Sequence, residues 1–356
     1  MDIVLVIVAL ALLILIHEAG HFFAAKMFGI KVEEFGFGFP PKLIWKKFGE
    51  TVYSLNLIPF GGFVRIFGED SEVLDEEGVS EEEKKRAFVH QKPWKKSVVI
   101  LAGVVMNIFL AWILLAGALM IGSPQKLVIT DVADNSPAVE AGLEANDVIL
   151  EVSSGANLIE GVINTENFIQ FINEQGNEEM NLLIQREAEQ LSLSMNGREN
   201  PPAGEGSLGI TFIDVGFERE GFFSAIFESL KMTWEGLILI IVSFATLIAS
   251  IFTPASGAFE NLTGPVGIFV IAQQAGSLGI VYLLQLTAII SLNLAILNLI
   301  PFPALDGGRF LVIITEKIKG SPVSSKVQNS VNALGFILLL ILMVVVTVKD
   351  VGRFIL

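Results

Sequence analysis

Five runs of this sequence, residues 3–24, 98–121, 233–252, 278–300 and 333–348, are apolar for about the 20 residues that an α-helix needs to cross roughly 30 Å of hydrocarbon. A chain carrying so many of them has to satisfy its backbone hydrogen bonds inside lipid, which restricts the spanning parts to helices. Composition agrees, with 52 % hydrophobic and 17 % charged residues, against about a quarter charged in soluble domains. The first run has no basic n-region and no small-residue cleavage site, and it holds His17, Glu18 and His21. It therefore reads as a retained span and not as a signal peptide.

Charge sets the orientation. Residues 25–96 contain 12 Lys and Arg, whereas residues 122–230 contain 4, against 19 Asp and Glu. The positive-inside rule puts the first loop in the cytoplasm and the acidic one outside. Arg309, Lys317, Lys319 and Lys326 mark the segment before the last run as cytoplasmic too. If 233–252 crossed inward, 278–300 would deliver that segment to the wrong side. The expectation is four spans, with 233–252 lying on or dipping into the outer face. The net charge of −15 argues against nucleic acid as a partner.

From residue 125 to about 200 the pattern changes to short β-rich runs, such as Lys126 to Val132 and Asp147 to Val152. The stretch Ser136-Pro137-Ala138-Val139-Glu140-Ala141-Gly142-Leu143, followed by Asp147-Val148-Ile149-Leu150, resembles the core of a PDZ domain. That likeness implies a groove ending at Gly142 and Leu143, where a peptide adds as a β-strand. Asn146 stands where a Gly is usual, and Asn tolerates the left-handed backbone of such a turn.

His17-Glu18-Ala19-Gly20-His21 is an HExxH motif at the inner end of the first span. Positions i and i+4 share a helix face, so both imidazoles can reach one Zn²⁺, with Glu18 beside them as a base. Two of the three His in the chain sit here at lipid depth, where ionisable groups are costly and usually functional. The third, His90, lies in the basic loop and reads as a surface residue. Cys is absent, so any metal must be held by His, Asp or Glu, and a catalytic site needs a third such ligand. The candidate is Asp306, in Asn298-Leu299-Ile300-Pro301-Phe302-Pro303-Ala304-Leu305-Asp306-Gly307-Gly308. The two prolines break the apolar run and free backbone groups that need a polar cavity. The topology puts both motifs near the cytoplasmic side.

With these residues the chain resembles the site-2 protease family of intramembrane zinc metalloproteases, in particular the bacterial enzymes of regulated intramembrane proteolysis. The likeness extends to Phe35-Gly36-Phe37-Gly38-Phe39-Pro40, Ile58-Pro59-Phe60-Gly61-Gly62-Phe63-Val64, Ala102-Gly103 with Asn107, and Gly264-Pro265-Val266-Gly267-Ile268. One departure is Val104, where the family commonly has Pro. The resemblance implies that His17, His21 and Asp306 bind one Zn²⁺ per chain, that Glu18 is the general base, and that Asn293 and Asn298 lie around the substrate. It also implies a membrane-associated β-hairpin at 51–66, whose Gly61-Gly62 edge would hold the substrate extended. Residues 69–86 read as a solvated charged loop.

These readings predict a mainly α-helical polytopic membrane protein with four transmembrane helices, a membrane-associated β-hairpin and one inserted extracytoplasmic PDZ-like α/β domain. The expected order is a first transmembrane helix at 1–24, a cytoplasmic loop with the hairpin at 25–97, a second helix at 98–121, and the PDZ-like domain at 122–205. A membrane-associated outer segment at 206–277, a broken third helix at 278–310, a cytoplasmic loop at 311–332 and a fourth helix at 333–350 complete it. The implied activity is zinc endoproteolysis within or near the transmembrane segment of a single-span protein, trimmed beforehand by another protease, in the cell's inner membrane. An anti-sigma factor and remnant signal peptides are both compatible substrates. A non-catalytic PDZ receptor or a metal or proton transporter would use the same polar cluster differently; Glu18 separates them, since only a protease needs it as a base.

Overall fold

The computed structural model describes residues 2–69, 80–159, 162–175, 178–186, 189–198, 200–202, 204–250 and 263–354. Ten residues of the expected charged loop, 70–79, lie outside this set. In chain order the elements are α1 (Asp2–Met27), β1 (Val32–Phe48), β2 (Thr51–Ile66), α2 (Glu81–Lys85) and α3 (Pro93–Ile121). There follow β3 (Lys126–Val132), α4 (Pro137–Glu140), β4 (Val148–Ser154), β5 (Asn157–Leu158), α5 (Thr165–Gln175), β6 (Glu179–Arg186), β7 (Glu189–Asn196) and β8 (Ile210–Val215). The last part holds α6 (Phe222–Ser250), α7 (Pro265–Leu278), α8 (Ile280–Leu299), α9 (Asp306–Lys319) and α10 (Ser325–Phe354). The chain divides into two compact units, one of residues 1–116 and 226–356 and one of residues 117–225.

In the first unit, α1, α3, α6, α8 and α10 are each long and apolar enough to cross a membrane. Among the described residues all five expected runs are helical apart from Gly279 and Ile300, and most of the helices extend beyond the apolar stretch because polar ends continue them. Apolar side chains gain little by leaving lipid for a helix interface, so association there depends on close backbone approach. α1 and α3 meet in that way. Gly20 lies so near the Ala102 carbonyl of α3 that a Cβ would overlap it.

The fourth apolar run is preceded by a further helix, with a break at Gly279, whose φ is 131°. An L side chain rarely adopts that backbone, so the break is fixed by glycine. α7 packs on the bundle end remote from the HExxH motif, where its Ala272 joins Val6 of α1 and Leu283 of α8 in one cluster. The α7 amino terminus sits against Val346 and Asp350 of α10, whereas Gly335 of α10 meets Pro303. The buried Asp350 carboxylate accepts hydrogen bonds from the Gly264 and Gly267 amides at 3.2 and 2.7 Å, capping α7 from another helix.

The hairpin starts about 20 residues earlier than the 51–66 expected, because β1 pairs with β2 along most of its length. Partners run from Phe48 with Thr51 to Lys42 with Asn56, and again from Val32 with Ile66 to Phe37 with Gly62. Phe35 to Phe37 also pair with Tyr53 to Leu55. The result is a small sheet in the order 42–48, 51–56, 34–37, 62–66, in which 62–66 is an edge. Glu50 at the turn binds Lys26 of α1 at 2.6 Å and Arg86 at 2.7 Å. Those cations hold its carboxyl at a pKa of about 2, well below its ordinary value.

The second unit is a sheet in the order β7-β6-β4-β3-β8 with β5 on β4. Its core joins Leu127, Ile149, Val152, Phe168, Leu182 and Ile184. The Lys126–Val132 strand is where the sequence places it, and Asn146 has the expected left-handed φ, 80°. β8 lies beyond the anticipated domain end at 205, yet it pairs with β3 from Lys126–Val215 to Val132–Ile210. Short and half-exposed, it falls within the membrane-associated segment expected at 206–277, and only this pairing joins it to the sheet.

Candidate metal centre

The i, i+4 spacing on α1 puts the Nε2 atoms of His17 and His21 3.2 Å apart. Asp306 is the first residue of α9. Its position depends on the turn before it: Pro301 and Pro303 end α8, and the chain folds back so closely that a Cβ on Gly307 would overlap the Leu299 and Ile300 carbonyls. This doubling back carries Asp306 Oδ2 to 3.1 Å from His17 Nε2 and 3.3 Å from His21 Nε2. The three donor atoms thus form a nearly equilateral triangle with edges of 3.1, 3.2 and 3.3 Å.

Donors held tetrahedrally at about 2.0–2.1 Å from zinc stand about 3.3 Å from one another, so this triangle has the dimensions of one face of such a site. Two further observations fit. Asp306 Oδ2 is buried and accepts no hydrogen bond, which would be unfavourable unless a cation met it. His21 Nδ1 lies 2.8 Å from the Val99 carbonyl of α3. A carbonyl only accepts, so Nδ1 carries the proton and Nε2 is left with its lone pair facing the triangle. The backbone of α3 comes equally close, since a Cβ on Gly103 would stand 2.5 Å from His21 Nε2 and 2.7 Å from His17 Cε1.

Glu18 is not a corner of the triangle. It lines a cavity of about 560 Å³ together with His17, His21, Asp306, Gly61 and Gly62. Gly62, on the sheet edge, is so near that a Cβ would lie 3.0 Å from Glu18 Cγ. Asn298 reaches the same cavity, with Nδ2 3.5 Å from His17 Nε2. Asn293 instead donates to the Ile289 carbonyl in its own helix, at 3.0 Å, and is not among the cavity walls. His90 is exposed, as the sequence suggests. In the sheet unit, Leu143 is 3 % exposed within the core, and the Gly142 carbonyl accepts from Arg186 at 2.6 Å.

Three contributors from α3, the Val99 carbonyl, Gly103 and Asn107, go beyond what the sequence reading assigns to this centre. Gly103 and Asn107 stand in a family-like segment of the sequence without a role assigned to them there, whereas the Val99 carbonyl leaves no trace in the sequence. Arg309, one turn after Asp306, also lines the cavity and pairs with Glu69 at 2.8 Å.

Comparison with known proteins covers most of the chain. The profile described as peptidase family M50 matches residues 5–342. A protein named as a zinc metalloprotease in Clostridium perfringens is 34% identical over 351 residues, covering 99% of this chain and 98% of that protein. One of the same description in Clostridium acetobutylicum is 32% identical over 366 residues, covering 98% and 97%. The regulator of sigma-W protease RasP of Bacillus subtilis is 27% identical over 421 residues, again covering 98% and 97%.

Proposed function

Since this chain belongs to peptidase family M50 and is an intramembrane zinc metalloprotease, we propose that His17, His21 and Asp306 hold one zinc ion per chain and that Glu18 is its general base. The observation that carries this assignment is the 3.1–3.3 Å triangle of donors, with a carboxylate beside it that is not a corner. When bound, the ion supplies Lewis acidity to the scissile carbonyl and lowers the pKa of the attacking water. The Glu18 carboxylate takes the proton from that water and returns it to the departing amide nitrogen. A peptide bond in a transmembrane helix is shielded by its own hydrogen bonds, so the substrate must first be drawn into an extended form. The 62–66 edge offers replacement main-chain bonds, and Gly62 lets that edge come close to Glu18. Asn298 donates to the extended chain. Asn293, turned to its own helix, has a weaker case.

Four spans remain our reading of the topology, with a multi-pass protein of the inner membrane, the metal on its cytoplasmic side and the sheet unit outside. Support comes from the two ends of the segment around α6. Trp112 Nε1, a little over one turn beyond Asn107 on α3, donates to the Ile226 carbonyl at 3.1 Å. Gly264 lies against Val346 and Asp350, 11 and 15 residues beyond the Gly335 contact with Pro303, or roughly 16–22 Å along α10. Both ends lie on the same side of the metal level.

The sheet unit is read as PDZ-like. Its open edge beside α5 is β8, where Phe168 stacks edge-on against Phe212 with centroids 5.2 Å apart. We place peptide addition there, with the Gly142–Leu143 turn bracing the sheet. The substrate is then a single-span protein already trimmed outside, whose new end the unit recognises or admits by size. The test is Glu18→Gln in the full chain, co-expressed with a single-span reporter: cleavage should be abolished while bound zinc, measured on the purified protein, stays near one per chain. Cleavage at the wild-type rate would refute the assignment of the base, and metal loss would make Glu18 a ligand.

A further inference from the structure

Both imidazoles need something behind them. For His21 it is the Val99 carbonyl, whereas His17 Nδ1 faces the side chain of Asn107, with Nδ2 3.4 Å away. Asn107 has none of its surface exposed, and its Oδ1 is buried with no hydrogen-bond partner. Its main chain is fixed separately, because the Ser291 hydroxyl, also fully buried, donates to the Asn107 carbonyl at 2.8 Å. The side chain has no structural duty in that contact. The other amide near His17, Asn298, lies on the Nε2 side and cannot serve Nδ1.

A His that binds a metal through Nε2 carries its proton on Nδ1 and needs an acceptor there. The two ends of an amide are almost the same size, so a half-turn of the Asn107 carboxamide puts the unpartnered oxygen opposite Nδ1 without moving the backbone. That turn satisfies two groups together, the orphaned Oδ1 and the Nδ1 proton. We propose that Asn107 is the positioning residue for His17, accepting the Nδ1 proton and so aiming Nε2 at the ion. The proposal rests on the His17, His21 and Asp306 assignment above. It makes α3, which supplies no ligand, the element that orients both rings.

The test is zinc affinity of the metal-stripped full chain in lipid nanodiscs, measured by competition with a chromophoric chelator. Asn107→Leu, similar in size and without an acceptor, should weaken binding about 10- to 100-fold, the usual effect of losing such a partner. Asn107→Asp, which only accepts, should bind zinc at least as tightly as wild type. Zinc affinity of Asn107→Leu within twofold of wild type overturns the proposal, as does Asn107→Asp binding more than tenfold worse. If Asn107→Leu does not fold, the Asp variant decides alone. A substrate-contacting role would raise KM and leave zinc affinity untouched, and that result also counts against it. Asp306→Ala separates this claim from its premise: if that variant keeps wild-type affinity the centre itself is misassigned, whereas if it loses zinc and Asn107→Leu does not, only the role of Asn107 falls.

Discussion

Gly103→Ala adds one methyl group to a transmembrane helix, and elsewhere in a helix that change stabilises by about 0.5–1 kcal/mol. Here the sign should invert. The new Cβ would stand 2.5 Å from His21 Nε2 and 2.7 Å from His17 Cε1, so ordinary contact needs roughly 0.9 Å of retreat from the rings or from α3. Retreat of α3 takes the Val99 carbonyl away from His21, and retreat of the rings breaks the donor triangle. Metal–ligand distances tolerate only about 0.2 Å, and displacements near 1 Å at a reacting centre lower rates by about 10²-fold. A matching 10²-fold loss of zinc affinity is about 2.8 kcal/mol, which outweighs the helix gain. Chelator competition on the purified full chain reads this directly. Gly117→Ala is the control on the same helix, since nothing lies within 4 Å of a Cβ there, and it should leave zinc binding unchanged. If Gly103→Ala binds zinc within threefold of wild type, the rings are not held by the approach of α3 and the reasoning is wrong.

Two other outcomes follow from the geometry. Gly62→Ala brings a Cβ to 3.0 Å from Glu18 Cγ and 3.1 Å from Ile14 Cγ2; cleavage should fall several-fold with zinc affinity unchanged, and a parallel loss of zinc would tie the sheet edge to the metal and not to the substrate. Glu50 has a carboxyl pKa lowered from 4.5 to about 2 by Arg86 and Lys26, so its contribution is complete above pH 4.5 and disappears as pH falls toward 2. The difference in melting temperature between wild type and Glu50→Gln should therefore shrink from pH 7 to pH 3, and a constant difference would show that the turn does not depend on this ion pair.

What the sequence makes legible is whatever depends on local period or on residue chemistry. His17 and His21 announce themselves by helical spacing, and Asp306 by being an acid beside two prolines at membrane depth. The apolar runs are found by length alone. Less visible are features that depend on distant pairing. β1 passes through Gly36, Gly38, Pro40 and Pro41, residues that locally signal a loop, and only its register with β2 makes it a strand. β8 is missed for the same reason. Gly279 reads as a tolerated glycine in an apolar run until its positive φ shows that it parts two helices. The contribution of Val99 is a carbonyl and that of Gly103 an absent side chain, neither of which has a letter of its own in the code of functional residues.

The donor triangle also has a consequence in time. Its corners come from residues 17, 21 and 306, so a chain made from its amino terminus brings all three together only after the α8–α9 turn has been synthesised.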